Sequence, residues 1–166
     1  IIPIIKPFSD IFIKIHKEVD IGENKELRVI AVDGSVYKEK GSLLTSIIVS
    51  GYVYIYSRDK SVIGAPPMVV VPDIFPSSYA SLASSIKMRM LEYDLALKIL
   101  TNFVEIYGDT IDYILLDGTI TFPEVLPAVP EVVRKVYEEY KDIASRLFLK
   151  AKKLKVGIIS ISKDPY

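Results

Sequence analysis

An α/β fold built on a mixed sheet is predicted for this chain by three observations. Two apolar runs, Arg28-Val29-Ile30-Ala31-Val32 and Asp112-Tyr113-Ile114-Leu115-Leu116, close alike on Asp33-Gly34-Ser35 and Asp117-Gly118-Thr119. Runs so apolar and β-branched read as strands buried on both faces, the state of central strands covered by helices. Two long helical patterns follow at crossover positions, and a long alternating segment between the first run and the first helix supplies an antiparallel meander. The order is therefore β-β-β-α-β-α-β. Right-handed crossovers allow the first, fourth and fifth strands to lie parallel in the middle of the sheet.

Each element has a local reason. Ile1 to Pro7 is apolar and broken by Pro3 and Pro7, an extended lead-in, after which Ser9 or Asp10 caps a short helix over Ile11 to Val19. Residues 1–26 thus form an N-terminal extension with a short helix, and 27–166 the core domain. The first strand runs from Leu27 to Asp33. Leu43 to Ser57 alternates strictly, with Leu43, Thr45, Ile47, Val49, Gly51, Val53 and Ile55 on one face and Leu44, Ser46, Ile48, Ser50, Tyr52, Tyr54 and Tyr56 on the other. Gly51 marks a bulge or bend there. Arg58 to Ser61 turns the chain into a third strand, which Pro66-Pro67 confines to an edge. Ser77 or Ser78 opens a helix to about Asn102 with two apolar stripes: Leu82, Ile86, Met90, Tyr93, Leu97, Leu100, and Met88, Leu91, Leu95, Ile99. It is expected to be buried on two sides. Pro123, Pro127 and Pro130 lead to a second helix, Glu131 to Lys153, striped by Val133, Val136, Tyr140, Ile143, Leu147, Ala151 and Leu154. The last strand is Val156 to Ile161.

Composition narrows the chemistry. The 166 residues suit one well-cored domain, and no apolar run reaches the roughly eighteen residues of a membrane span. With no secretory signal pattern either, a soluble cytoplasmic protein is expected. Zero Cys removes disulfides, thiol nucleophiles and Cys-based zinc sites, and a single His16 removes a His-dominated metal centre. Any metal must then be held by oxygen ligands, which selects Mg²⁺ or Mn²⁺. The absence of Gln and the wealth of Ile, Lys and Glu suit a thermophile. An Ile at the first position suggests a piece of a longer chain. Basic and acidic residues balance at 21 each, so the domain lacks the cationic excess of a strong nucleic-acid binder. The cations toward the end interleave with acids as on a solvated helix face.

Candidate site residues follow from the paired motifs. If the two strands are parallel neighbours, Asp33 and Asp117 end about 5 Å apart and can share divalent cations. Asp-Gly is also a good turn former, and that reading stands beside the first. Glu92 falls at the margin of the second helical stripe, with Arg89 one turn back. Either it coordinates a metal or the two form an exposed ion pair. Tyr52, Tyr54 and Tyr56 suit packing or a dimer contact, or stacking with single strands. His16 reads as an ordinary helix residue.

Taken together, the element order and acidic positions resemble the ribonuclease-H-like nuclease superfamily. Within it, Ile30-Ala31-Val32-Asp33-Gly34-Ser35 resembles the opening motif of the NurA family, and Arg89-Met90-Leu91-Glu92 its helical Arg-x-x-Glu. Leu115-Leu116-Asp117-Gly118-Thr119 is similar to its second Asp-Gly motif, and Ser162-Lys163 to its Ser-Lys after the last strand. The resemblance implies a ribonuclease-H-like mixed sheet and a Mn²⁺- or Mg²⁺-dependent deoxyribonuclease acting on single strands and duplex ends. It also implies a homodimer working with the hexameric HerA translocase in end resection and repair. Asp33, Glu92 and Asp117 would be metal ligands, Asp33 shared between two ions, and Lys163 would offset charge on the scissile phosphate. Members of the family run on beyond this point, with acidic and His residues that complete the site. A non-catalytic domain docking a translocase is one alternative. An actin-like ATPase is another, although its Asp-x-Gly and second half are missing here.

Overall fold

The computed structural model describes residues 28–56, 63–69, 73–107, 111–118 and 129–161. The N-terminal extension with its short helix, His16, the turn after Ser57, the proline-rich connection before Val129, and Ser162-Lys163 lie outside them. So do the side chains of Tyr52, Tyr54 and Tyr56.

Strand β1 (Val29–Lys40) pairs antiparallel with β2 (Leu44–Tyr56), which pairs antiparallel with β3 (Ile63–Val69) and, at its other end, with the short β4 (Asp73–Pro76). A 3-10 turn (Ser77–Tyr79) enters helix α1 (Ala80–Tyr107); β5 (Tyr113–Asp117), helix α2 (Glu131–Leu154) and β6 (Gly157–Ile161) complete the order. The sheet runs β3-β2-β1-β5-β6, with β1, β5 and β6 parallel. This is the expected mixed α/β sheet, with the first, fifth and sixth strands parallel.

Alternation in β2 is realised: Thr45, Ile47, Val49, Gly51 and Val53 are buried under α1 while Leu44 and Ile48 are exposed. The register of β2 with β3 shifts between Gly51 and Val53, where a bulge was expected. β3 keeps Pro66-Pro67 within an edge strand, a place that tolerates missing amide donors. Strand β4 was not foreseen. It is four residues long and ends at a proline, too short for periodicity to register. It is held where the 3-10 turn begins, by the Ser77 amide donating to Leu43 O at 2.9 Å and by a Thr45–Ser77 hydroxyl pair at 2.9 Å.

The two stripes of α1 divide its work. Met88, Leu91 and Leu95 meet β1 and β2, whereas Tyr93 meets α2 through Tyr140 and Phe148, ring centroids 5.4 and 5.9 Å away. Burial, then Tyr140, pushes the Tyr93 phenol up. On α2 the buried stripe is Val133, Val136, Tyr140, Ala144, Leu147 and Ala151. Ala144 takes the place expected for Ile143, which is only partly buried. The helix closes in a Schellman motif: Lys155 adopts φ 58°, its amide donates to Lys152 O, and the Val156 amide donates to Ala151 O. Its outer face carries the pairs Glu131–Arg134, Glu138–Lys141 and Asp142–Arg146, the solvated charge face that the sequence suggested.

Candidate active site

Strand pairing brings the two Asp-Gly motifs together. β1 and β5 run in step from Val29 opposite Tyr113 to Val32 opposite Leu116. Asp33 and Asp117 come next on these adjacent strands and, by the alternation of side chains, share one side of the sheet. Asp33 is exposed and Asp117 half-buried. Here the structure departs from expectation. Asp33-Gly34 does not end its strand in a turn, because β2 continues to pair β1 as far as Lys40 opposite Thr45. β5 stops at Asp117 while β1 runs on, so from Asp33 onward this edge of β1 has no strand beside it among the described residues.

Gly34 has a different use. It lies opposite Gly51, and α1 crosses directly over the pair. A Cβ on Gly34 would stand 2.7 Å from Glu92 Oε1 and 2.9 Å from Met88 Cγ, and one on Gly51 2.6 Å from Leu95 Cδ1. The paired glycines therefore form a depression that admits the helix. Glu92 is seated in it, 1% exposed, at the open edge of β1. Its carboxylate accepts a hydrogen bond from the Gly34 backbone, and Oε2 has no partner. Burial, then the charges of Asp117 and Asp33, push its pKa up from 4.5 to about 8, against the opposing pull of Arg89 and the Gly34 amide. An exposed Arg89–Glu92 ion pair is thereby ruled out: the carboxylate is buried.

The second motif does end in a turn. Gly118 has φ +91°, a conformation that glycine adopts without strain. Its amide donates to Ile161 O at 2.9 Å and its carbonyl accepts from the Ser160 hydroxyl, so β6 fixes the turn that carries Asp117. On the other side, Nη2 of Arg89 stands 3.7 Å from the position that a Gly118 Cβ would take. Lys163 lies beyond Ile161, outside the described residues.

The family model of the NurA domain matches residues 27–166. This chain belongs to the NurA family. Among solved structures, its backbone is similar to the NurA nuclease from Sulfolobus solfataricus, with a TM-score of 0.60 and 17% identity over 98% of this chain and 58% of that one. The chain thus spans little more than half of that protein. A NurA bound to dAMP and manganese aligns with TM-score 0.42 and 17% identity, over 87% of this chain and 40% of that one. Ribonuclease H1 of Halobacterium salinarum aligns at 0.40 and 12%, over 82% and 86%. No curated protein matches it significantly.

Within the NurA domain, the donor set of the site is made of carboxylates, the ligands that hard divalent cations take. Among the described residues, no three acidic or His side chains lie where they could hold a metal ion together. What these residues offer a cation is one buried oxygen, Glu92 Oε2, without a partner, and two carboxylates that raise the cost of its charge. Of the contributing residues, Asp33, Glu92 and Asp117 were legible as candidates. Gly34 as a seat for Glu92, Ser160 as an anchor of the Asp117 turn, and Arg89 at that turn were not. Their partners lie on other elements, and no spacing along the chain reports them.

Proposed function

We propose that this chain carries the acidic core of a metal-dependent deoxyribonuclease that hydrolyses phosphodiester bonds of single strands and duplex ends in DNA end resection. The observation that carries this reading is the Glu92 carboxyl, buried with one oxygen unpartnered and within electrostatic reach of Asp33 and Asp117. A carboxyl so placed holds its proton at neutral pH, and a bound cation is what would let it ionise there. Asp33 would be the shared ligand of two Mn²⁺ or Mg²⁺ ions, with Glu92 and Asp117 each completing one shell. When bound, such ions supply Lewis-acid charge at the phosphodiester and make water a nucleophile at neutral pH.

The chain's own residues supply placement. Asp33 faces solvent at the open edge of β1, where a DNA strand has access. Glu92 is kept from swinging by its seat over Gly34 and by the hydrogen bond to it. Asp117 is held by the turn that β6 pins through Gly118. Lys163 is assigned to offset charge on the scissile phosphate. Because the chain has no net charge, its own grip on DNA is weak and tight binding falls to a second copy or a partner; the working form we assign is a homodimer with a HerA-type hexameric translocase in the cytoplasm.

The test is hydrolysis by the full-length protein carrying Asp33→Asn or Asp117→Asn. Removing a ligand unseats the ion itself, so the rate should fall by orders of magnitude. Either variant keeping more than about a tenth of the wild-type rate at saturating Mn²⁺ overturns the assignment.

A further inference from the structure

Asp33 is the first of a row. Strand alternation puts Asp33, Ser35, Tyr37 and Glu39 on one side of β1, and all four are exposed. The buried side chains of the two long strands, among them Ile30, Val32, Ile47, Val49 and Val53, lie on the other side. Ser35 stands opposite Ser50 in the ladder, and their hydroxyls share a hydrogen bond of 2.8 Å. Tyr37 follows, 62% exposed and opposite Ile48, itself 36% exposed. A tyrosine so open contributes little to the core. At about 3.4 Å per residue it stands about 14 Å from Asp33 along the strand. Charge changes along the same line: between Gly34 and Thr45 the lysines Lys38 and Lys40 stand against one acid, Glu39. An open aromatic face, exposed hydroxyls and a positive balance are what a single nucleic-acid strand takes, because every base has a π-face and every linkage a phosphate.

We propose that this row is a track for single-stranded DNA: Tyr37 stacks on one base, and the Ser35–Ser50 hydroxyl pair meets the sugar–phosphate backbone between that base and Asp33. The proposal rests on the nuclease reading only in taking Asp33 as the end of the track where the strand is cut; the stacking needs no metal. It also separates substrates. A base inside a duplex has both faces covered by its neighbours, so Tyr37 favours single strands and frayed ends over closed duplex.

The test is binding by the full-length protein in EDTA, at low salt, of a labelled oligothymidylate and of an abasic oligomer of equal length, which keeps the phosphates and lacks the bases. Wild type should prefer the oligothymidylate. Tyr37→Ala should weaken oligothymidylate binding roughly tenfold, leave abasic binding unchanged and so remove the preference, whereas Tyr37→Phe should keep it. This chain has no tryptophan, so Tyr37→Trp places an indole at the proposed contact, with wild type as the blank. Its fluorescence should be quenched by oligothymidylate and not by the abasic oligomer. A preference that survives in Tyr37→Ala, or an indole that responds equally to both oligomers, overturns the proposal. So does a Tyr37→Ala variant that changes sedimentation and keeps the preference, since Tyr37 would then be a contact between copies. Hydrolysis by Asp33→Asn keeps the two claims apart. If that variant is inactive and Tyr37→Ala keeps its preference, the track falls and the nuclease reading stands; if it cuts DNA as wild type does while Tyr37→Ala loses its preference, the nuclease reading falls and the stacking stands.

Discussion

Replacing Glu92 by Gln keeps the volume of the side chain and removes its capacity for charge, and the structure assigns that charge a cost. In the folded protein the carboxyl titrates near 8 and not at its ordinary 4.5, chiefly through burial and then through Asp117 and Asp33. A folded value above the unfolded one means that the native state binds the proton more tightly. Its contribution to stability is complete below about pH 4.5 and is lost as the pH rises through about 8. At about 1.4 kcal/mol per pH unit, that interval corresponds to a loss on the order of 5 kcal/mol. In EDTA, then, wild type and Glu92→Gln should be equally stable near pH 4.5. Near pH 8.5 the variant should be the more stable by several kcal/mol, because it has no buried charge to accommodate. Urea unfolding midpoints at both pH values, with and without Mn²⁺, measure this directly. Mn²⁺ should restore the wild type at high pH and do little for the variant. Parallel pH dependences for the two proteins would refute the buried-carboxylate argument. So would a uniform loss of about 1 kcal/mol or less in the variant, which is what an exposed ion pair is worth.

Two further outcomes follow from backbone geometry. Gly34→Ala places a Cβ 2.7 Å from Glu92 Oε1, so it should cost about 1–3 kcal/mol by overpacking and also blunt the Mn²⁺ response, read by denaturation and thermal shift; an unchanged response would show that Glu92 does not depend on its seat. Lys155→Gly should stabilise by up to about 1 kcal/mol in the same denaturation assay, since it puts glycine at the left-handed residue closing α2; a loss would mean that the Lys155 side chain contributes more than its backbone strain costs.

Much of the fold could be read from the sequence because burial is locally periodic. The two faces of β2, the double stripe of α1 and the single stripe of α2 are each set by residues within a few positions of one another, and each emerged in outline, with Leu43 exposed and Ile143 only partly buried as the departures. What escaped depends on distant partners. β4 is specified by four residues and by what they pair with, Leu44 to Ile47, almost thirty positions earlier. Ile143 and Ala144 stand three and four residues after Tyr140, both positions that a helical stripe allows, so periodicity alone does not choose between them. Asp33-Gly34 read as a turn because the dipeptide favours one, and the long pairing of β1 with β2 overrides that local preference.

Glu92 marks the sharper boundary. Its place at the edge of an apolar stripe left two roles open, a surface ion pair and a buried ligand, and these differ only in depth. Depth here is set by Gly34 and Gly51, which oppose each other across the β1–β2 ladder and let α1 approach until Leu95 and the Glu92 carboxylate occupy the room that two side chains would have filled. Neither glycine announces this alone, since Gly34 looks like part of a turn and Gly51 like a bulge. Only the register that pairs them, together with a helix more than forty residues away from the nearer one at Glu92, turns two ordinary glycines into the seat of a carboxylate. The aspartates could be found as repeated motifs, because their chemistry and their strand positions are both local. The third acid could be found only as a candidate, because what makes it expensive to ionise, and so ready for a cation, is the close fit of one helix on one pair of strands.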